Sequence, residues 1–201
     1  MKSVIILANI ENIDKNILKN CYIVGADKGA YIAAKNNIEL DVSIGDFDSC
    51  NQEEFKLIES HSKKIIRLNP IKDETDTKEA INLCKNFDEI LILGGIKGKR
   101  IEHFIANLIE LYNNPKIKML DDNSLIETKE NITFTPNEDY KYISFFSLSN
   151  DTKLTLNGFK YNLNSYTLKA NDPLCISNEL ENNPIVKVEG KVLVIYSLED
   201  H

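Results

Sequence analysis

Tyr22-Ile23-Val24-Gly25-Ala26-Asp27-Lys28-Gly29-Ala30 is the stretch whose reading decides the fold. Tyr22 to Ala26 is apolar without alternation, the mark of a strand buried on both faces between helices. Gly25 to Ala30 then ends that strand and opens a helix running through Ala33 and Ala34. A strand-to-helix turn of this kind offers backbone N–H groups and a helix dipole to an anion. Its glycines are too few for a dinucleotide fingerprint, and taken alone these residues favour a plain tight turn. Upstream, residues 2 to 8 form another unbroken apolar run, separated from the first by the Asn-rich stretch 11 to 20.

The pattern repeats downstream. A strand at 42–44, a helix from about Gln52 to Ser60, a strand at 64–68, a helix after Thr75, and a strand at 90–93 follow in turn. A helix through Ala106, Asn107, Leu108 and Leu111 and a strand at 117–120 complete the series. Alternation of this type predicts an α/β domain with a parallel sheet, whose ligands sit at the carboxyl ends of the strands. After Asp121–Ser124 the helical period disappears. Short β segments recur at 125–127, 132–134, 142–148, 154–156, 166–168, 174–176, 186–188 and 192–196, punctuated by Asn, Asp, Gly and Pro. They predict an all-β sandwich or barrel. The expectation is an N-terminal parallel-sheet α/β domain over residues 1–122, followed by an all-β domain over 123–201.

Two acidic stretches stand at strand or helix ends. Val42-Ser43-Ile44-Gly45-Asp46-Phe47-Asp48-Ser49 presents Asp46 and Asp48 as its strand stops, and Lys72-Asp73-Glu74-Thr75-Asp76 opens a helix that Thr75 or Asp73 caps. Turn and capping roles explain these residues as they stand. If the carboxylates converge, however, a pair ~4 Å apart repels by roughly 4 kcal/mol at an effective dielectric near ~20, and a bound cation removes that repulsion. Magnesium suits such a site, because it takes few carboxylates and fills its octahedron with water and substrate phosphates. Gly94-Gly95-Ile96-Lys97-Gly98-Lys99-Arg100-Ile101-Glu102-His103 supplies the complement: flexible backbone and three cations for a polyphosphate, or simply an exposed basic loop. It is no Walker loop, since Gly98-Lys99 lacks the following Ser or Thr.

Composition narrows the class. The chain has 201 residues, 42% of them hydrophobic, and a formal net charge of −7. That charge argues against a nucleic-acid partner, which needs a basic face. The amino-terminal apolar run is too short for a signal peptide, and no run reaches the length of a membrane span, so the expectation is a cytoplasmic protein without a membrane partner. Cys21, Cys50, Cys84 and Cys175 are far apart, lack a Cys-x-x-Cys pair and are read as thiols rather than zinc ligands.

The motifs then carry a resemblance. Gly45-Asp46-Phe47-Asp48-Ser49, Asp73-Glu74-Thr75-Asp76, Gly95-x-x-Gly98-x-Arg100-x-Glu102-His103 with Ala106-Asn107-Leu108, Gly158-Phe159-Lys160-Tyr161 and Ser177-Asn178-Glu179 occur in that order. Together they resemble the bacterial thiamine pyrophosphokinases over nearly the whole chain. The resemblance implies an α/β nucleotide domain followed by a β-sandwich, a homodimer with active sites at the subunit interface, and transfer of the pyrophosphoryl group of ATP to thiamine with magnesium. It also implies metal and catalytic roles for Asp46, Asp48, Asp73 and Asp76, with Arg100 on the phosphates. Asp27, Lys28, Thr75, Lys97, Gly98, Lys99, Arg100 and His103 would lie by the nucleotide, and Tyr161, Ser177 and Asn178 by the thiamine. Two positions depart from the family pattern, which has glycine where Lys99 stands and Asp where Glu102 stands. Two other readings accompany this one: the same donor with another acceptor alcohol, and a nucleotide or thiamine sensor without turnover.

Overall fold

The computed structural model describes residues 1–10, 12–69, 71, 74–98 and 100–199. The chain divides into two compact units, Met1–Glu110 with Lys116–Asp122, and Leu111–Pro115 with the residues from Asn123 onward.

The first unit contains strands β1 (Lys2–Ile6), β2 (Tyr22–Ala26), β3 (Val42–Gly45), β4 (Ile65–Arg67), β5 (Glu89–Leu93) and β6 (Ile117–Leu120). They pair in parallel in the order β6-β5-β1-β2-β3-β4. Helices α1 (Lys28–Lys35), α2 (Gln52–Ser60), α3 (Asp76–Leu83) and α4 (Ile101–Asn113) provide the intervening elements. The unbroken apolar runs became strands, and Val4, Ile5 and Ile6 of β1 and Ile90 and Ile92 of β5 are fully buried. Side chains excluded from water on both faces are what a parallel sheet requires.

Local chemistry fixes the helix starts. Asn51 caps α2 through a capping box: its Oδ1 accepts from Glu53 N–H and Glu54 N–H, while Glu54 Oε2 accepts from Asn51 N–H at 3.0 Å. Thr75, one of the two expected caps, holds α3 by accepting from Lys78 N–H at 3.2 Å. Gly29 lets α1 lie against the sheet, since a Cβ there would stand 2.1 Å from the Ile6 carbonyl oxygen. The sheet order places the topological switch between β1 and β5. Chain segments leave these two neighbours in opposite directions across the sheet, and the crevice at their carboxyl ends is where open α/β sheets bind ligands.

The second unit is built from β7 (Ser124–Glu130), β8 (Thr133–Phe134), β9 (Tyr142–Phe146), β10 (Thr152–Phe159), β11 (Leu163–Leu168), β12 (Asn178–Glu189) and β13 (Lys191–Ser197). Its strands run antiparallel in the order β11-β10-β12-β9-β13-β7, with β8 on β12. Phe145, Leu154, Leu156, Phe159, Val186 and Val194 form its fully buried core. One expected strand is absent. Leu174–Ile176 is a turn in which Leu174 and Ile176 are exposed and only Cys175 is buried, its carbonyl accepting from Phe145 N–H at 2.8 Å. Asp172 Oδ1 accepts from Leu174 N–H, and Ser177 adopts φ 54°; both bend the chain out of strand geometry. No described helix is long and apolar enough to cross a membrane.

Candidate active site

A cleft of about 910 Å³ opens at the carboxyl ends of the parallel strands. Its floor is formed where β1 runs into Leu7, Ala8 and Asn9 and where β5 runs into Gly95, Ile96 and Lys97, the switch point identified above. Of the residues singled out in the sequence, Asp27, Lys28, Asp46, Thr75 and Asp76 line it on one side; Lys97, Gly98, Arg100 and His103 also line it. Segments separated by as many as 76 residues (Asp27 to His103) therefore converge because the fold sends successive strand ends to one edge.

The acidic side is organised around Asp27. This residue links β2 to α1 with φ 47° and ψ −125°, a backbone conformation that costs a non-glycine residue on the order of 1–3 kcal/mol. Hydrogen bonds hold it there: its N–H donates to the Ile44 carbonyl at 2.8 Å, and its own carbonyl accepts from Ala30 N–H at 3.0 Å. Gly45 makes room, since a Cβ on it would meet Asp27 Cα at 3.0 Å. Burial pushes the Asp27 carboxyl above its ordinary value, and the nearby charges of Asp76 and Asp46 push it further in the same direction. Ser49 Oγ donates to Asp27 Oδ2 at 3.3 Å and opposes that shift. Two further carboxylates thus stand near enough to Asp27 to repel it, although among the described residues no group of three or more His, Cys, Asp or Glu side chains is arranged to hold a metal ion.

Asp48 stands apart. Phe47, at φ 61°, turns its ring into the core beside Phe55, leaving Asp48 exposed and outside the cleft, with its N–H donating to Asp46 Oδ1 at 3.0 Å. Asp73 and Lys99 lie outside the described residues. On the basic side, Arg100 Nε donates to Glu102 Oε1 at 2.7 Å, and that exposed pair holds the Glu102 carboxyl below its usual value. Lys28 faces Glu54 at 3.9 Å.

Tyr161, Ser177 and Asn178 belong to the all-β unit. Asn178 is 4% exposed, and its amide is engaged with the backbone: Oδ1 accepts from Tyr161 and Glu179 N–H, and Nδ2 donates to the Tyr161 carbonyl at 2.8 Å. Its part is to brace Tyr161, whose ring is 63% exposed with the Lys160 ammonium 5.9 Å from its centroid. Ser177 is exposed, its N–H anchored on Ser144 Oγ at 2.9 Å.

Comparison with known proteins decides the family. The sequence pattern of the thiamin pyrophosphokinase catalytic domain matches residues 14–120, and that of its vitamin B1 binding domain matches residues 129–195. The chain belongs to the thiamine pyrophosphokinase family. The thiamine pyrophosphokinase of Bacillus subtilis is 34% identical over 165 residues, which is 78% of this chain and 77% of that protein. The crystal structure of a Bacillus subtilis thiamine pyrophosphokinase superposes with a TM-score of 0.86 at 30% identity, covering 100% of both chains. A probable thiamine pyrophosphokinase from Staphylococcus saprophyticus gives 0.70 at 26% identity, again over 100% of both. As a family member the chain is an ATP-dependent diphosphotransferase that converts thiamine to thiamine diphosphate.

Several cleft residues were given no role from the sequence, among them four polar ones. Glu74 and Ser49 lie inside the acidic motifs already quoted, and Asn107 lies in the helix that follows the glycine loop. Asn9, at φ 68°, donates from Nδ2 to the Lys97 carbonyl at 3.2 Å and so ties the glycine loop to the end of β1. Its signal was positional: it directly follows the first buried strand, at a carboxyl end.

Proposed function

We propose that the α/β unit holds ATP with magnesium in the cleft at the switch point, and that the all-β unit recognises thiamine. The observation that carries this is the convergence of Asp27, Asp46 and Asp76 with Lys97, Arg100 and His103 in one cleft. The donor set fits magnesium: carboxylates supply hard oxygens, and the ion ordinarily needs only one or two of them, leaving its other positions to water and phosphate. Asp46 and Asp76 would hold it, with Asp73 as the further ligand implied by the family motifs, whereas Asp48, exposed outside the cleft, is left out of the set. When bound, the ion neutralises charge on the phosphate oxygens.

The chain's own residues account for the remaining chemistry. Pyrophosphoryl transfer breaks the bond between the α and β phosphates and forms one from the thiamine hydroxyl oxygen to the β-phosphorus, releasing AMP. Such transfer demands alignment and charge stabilisation more than covalent help. Lys97 and Arg100 would balance charge on the departing AMP, and the weak, exposed pair with Glu102 yields Arg100 readily. Asp73 or Asp76 orients the attacking hydroxyl and takes its proton. Tyr161, its backbone braced by Asn178, offers an aromatic face to the cationic thiazolium, and Ser177 a hydroxyl.

Three further readings belong to this proposal. The all-β unit is a sandwich: β12 pairs with β9 through Asn178 and Glu179 and with β10 further along, so one long strand serves two layers that share the core around Phe145 and Phe159. The protein is a homodimer, supported by the exposed Ile101, Ile105 and Ile109, spaced four apart along α4. It is cytoplasmic, a reducing setting that suits its unpaired thiols.

The metal assignment is tested by Asp76→Asn. Turnover should fall by about 100-fold or more, with weaker binding of manganese measured by electron paramagnetic resonance. Full turnover in the variant would refute the assignment.

A further inference from the structure

We propose that Asn107 reads the base of the nucleotide, its carboxamide pairing with the 6-amino group and an adjacent ring nitrogen of adenine. This rests on the cleft being the ATP site. Asn107 is 5% exposed, and the surface it retains lies in the cleft. Its amide makes no hydrogen bond to another described residue, which sets it apart from Asn178 and Asn9. Neither polar atom of this nearly buried carboxamide is sealed from solvent, so both remain open to a ligand in the cleft, and a ligand that covered them without pairing would lose more than a net hydrogen bond. A ligand supplying the partners avoids that loss.

The surroundings say which part of the ligand. A Cβ built on Gly95 would lie 3.1 Å from Asn107 Nδ2, 2.7 Å from Leu7 Cδ1 and 3.7 Å from Met119 Cε, so the amide sits among apolar side chains, and Phe104 lines the same cleft. A carboxamide presents one acceptor beside donors. Phosphate oxygens only accept, so facing them would leave Oδ1 unsatisfied in an apolar wall. Adenine matches both halves, since its amino group donates next to a ring nitrogen that accepts.

The test compares binding of ATP, purine riboside triphosphate, which lacks the 6-amino group, and 2′-deoxy-ATP. Titration calorimetry with magnesium present would be run on the wild-type protein, Asn107→Leu and the smaller Asn107→Ser, each first checked for native circular dichroism. Wild type should prefer ATP over purine riboside triphosphate by about tenfold, and the variants should bind the two equally while keeping the wild-type KM for thiamine. Retention of that preference in a folded variant overturns the inference, as does selective loss of discrimination against 2′-deoxy-ATP, which would assign Asn107 to the ribose. Absence of ATP binding by wild type would overturn the ATP site itself, and this inference with it.

Discussion

At the scale of the residue, Asp27 shows how the cleft trades stability for charge. Its strained backbone and its crowding by Asp46 and Asp76 are conditions that packing alone would not select. Asp27→Asn keeps the acceptor for Ser49 and removes the repulsion. The expected outcome, by calorimetry at neutral pH without magnesium, is a Tm raised by about 2 °C together with turnover reduced at least tenfold. A lowered Tm would show that the carboxylate is stabilised by its surroundings and not stressed by them. Much of this site was legible in the sequence, because strand ends in an α/β sheet collect at one edge and Asp46, Asp76 and Arg100 all follow elements with clear apolar patterns. What was hidden depends on backbone reversal. The positive φ of Phe47 directs Asp48 away from the cleft, and nothing in Gly45-Asp46-Phe47-Asp48 announces which of its two acids turns inward. Asn178 was hidden for a similar reason: its role in bracing the Tyr161 backbone arises from a turn 17 residues away.

At the scale of the element, the helices and parallel strands follow their sequence signals closely, since capping and unbroken burial are local properties. Leu174–Ile176 misled because three apolar residues in a row read as a short strand, while Asp172 before it and Ser177 after it close a turn. Helix α4 carries the next prediction. A stripe of Ile101, 64% exposed, Ile105, 51%, and Ile109, 49%, is more apolar surface than one helix face ordinarily leaves in water. Ile105→Glu is expected to convert the proposed homodimer to monomer in sedimentation equilibrium. A wild-type protein that sediments as a monomer would remove the basis for assigning that stripe to a second copy.

At the scale of the whole molecule, alkaline stability follows from buried acids that ionise with difficulty. Burial pushes the Cys175 thiol up to about 11, and Tyr196, buried against Glu127, is raised as well. Because these folded-state values lie above those of the unfolded chain, near about 8.5 for a thiol, their stabilising effect is complete below that pH and is lost as the pH climbs toward about 11. Urea unfolding across that window should show stability falling, and Cys175→Ala should flatten the slope. The central claim concerns the reaction. The most direct measurement is AMP formation by the purified protein with ATP and magnesium, with and without thiamine. The account predicts AMP that appears only when thiamine is present, in equal amount to thiamine diphosphate; ADP as the product, or AMP released at the same rate without thiamine, would contradict it.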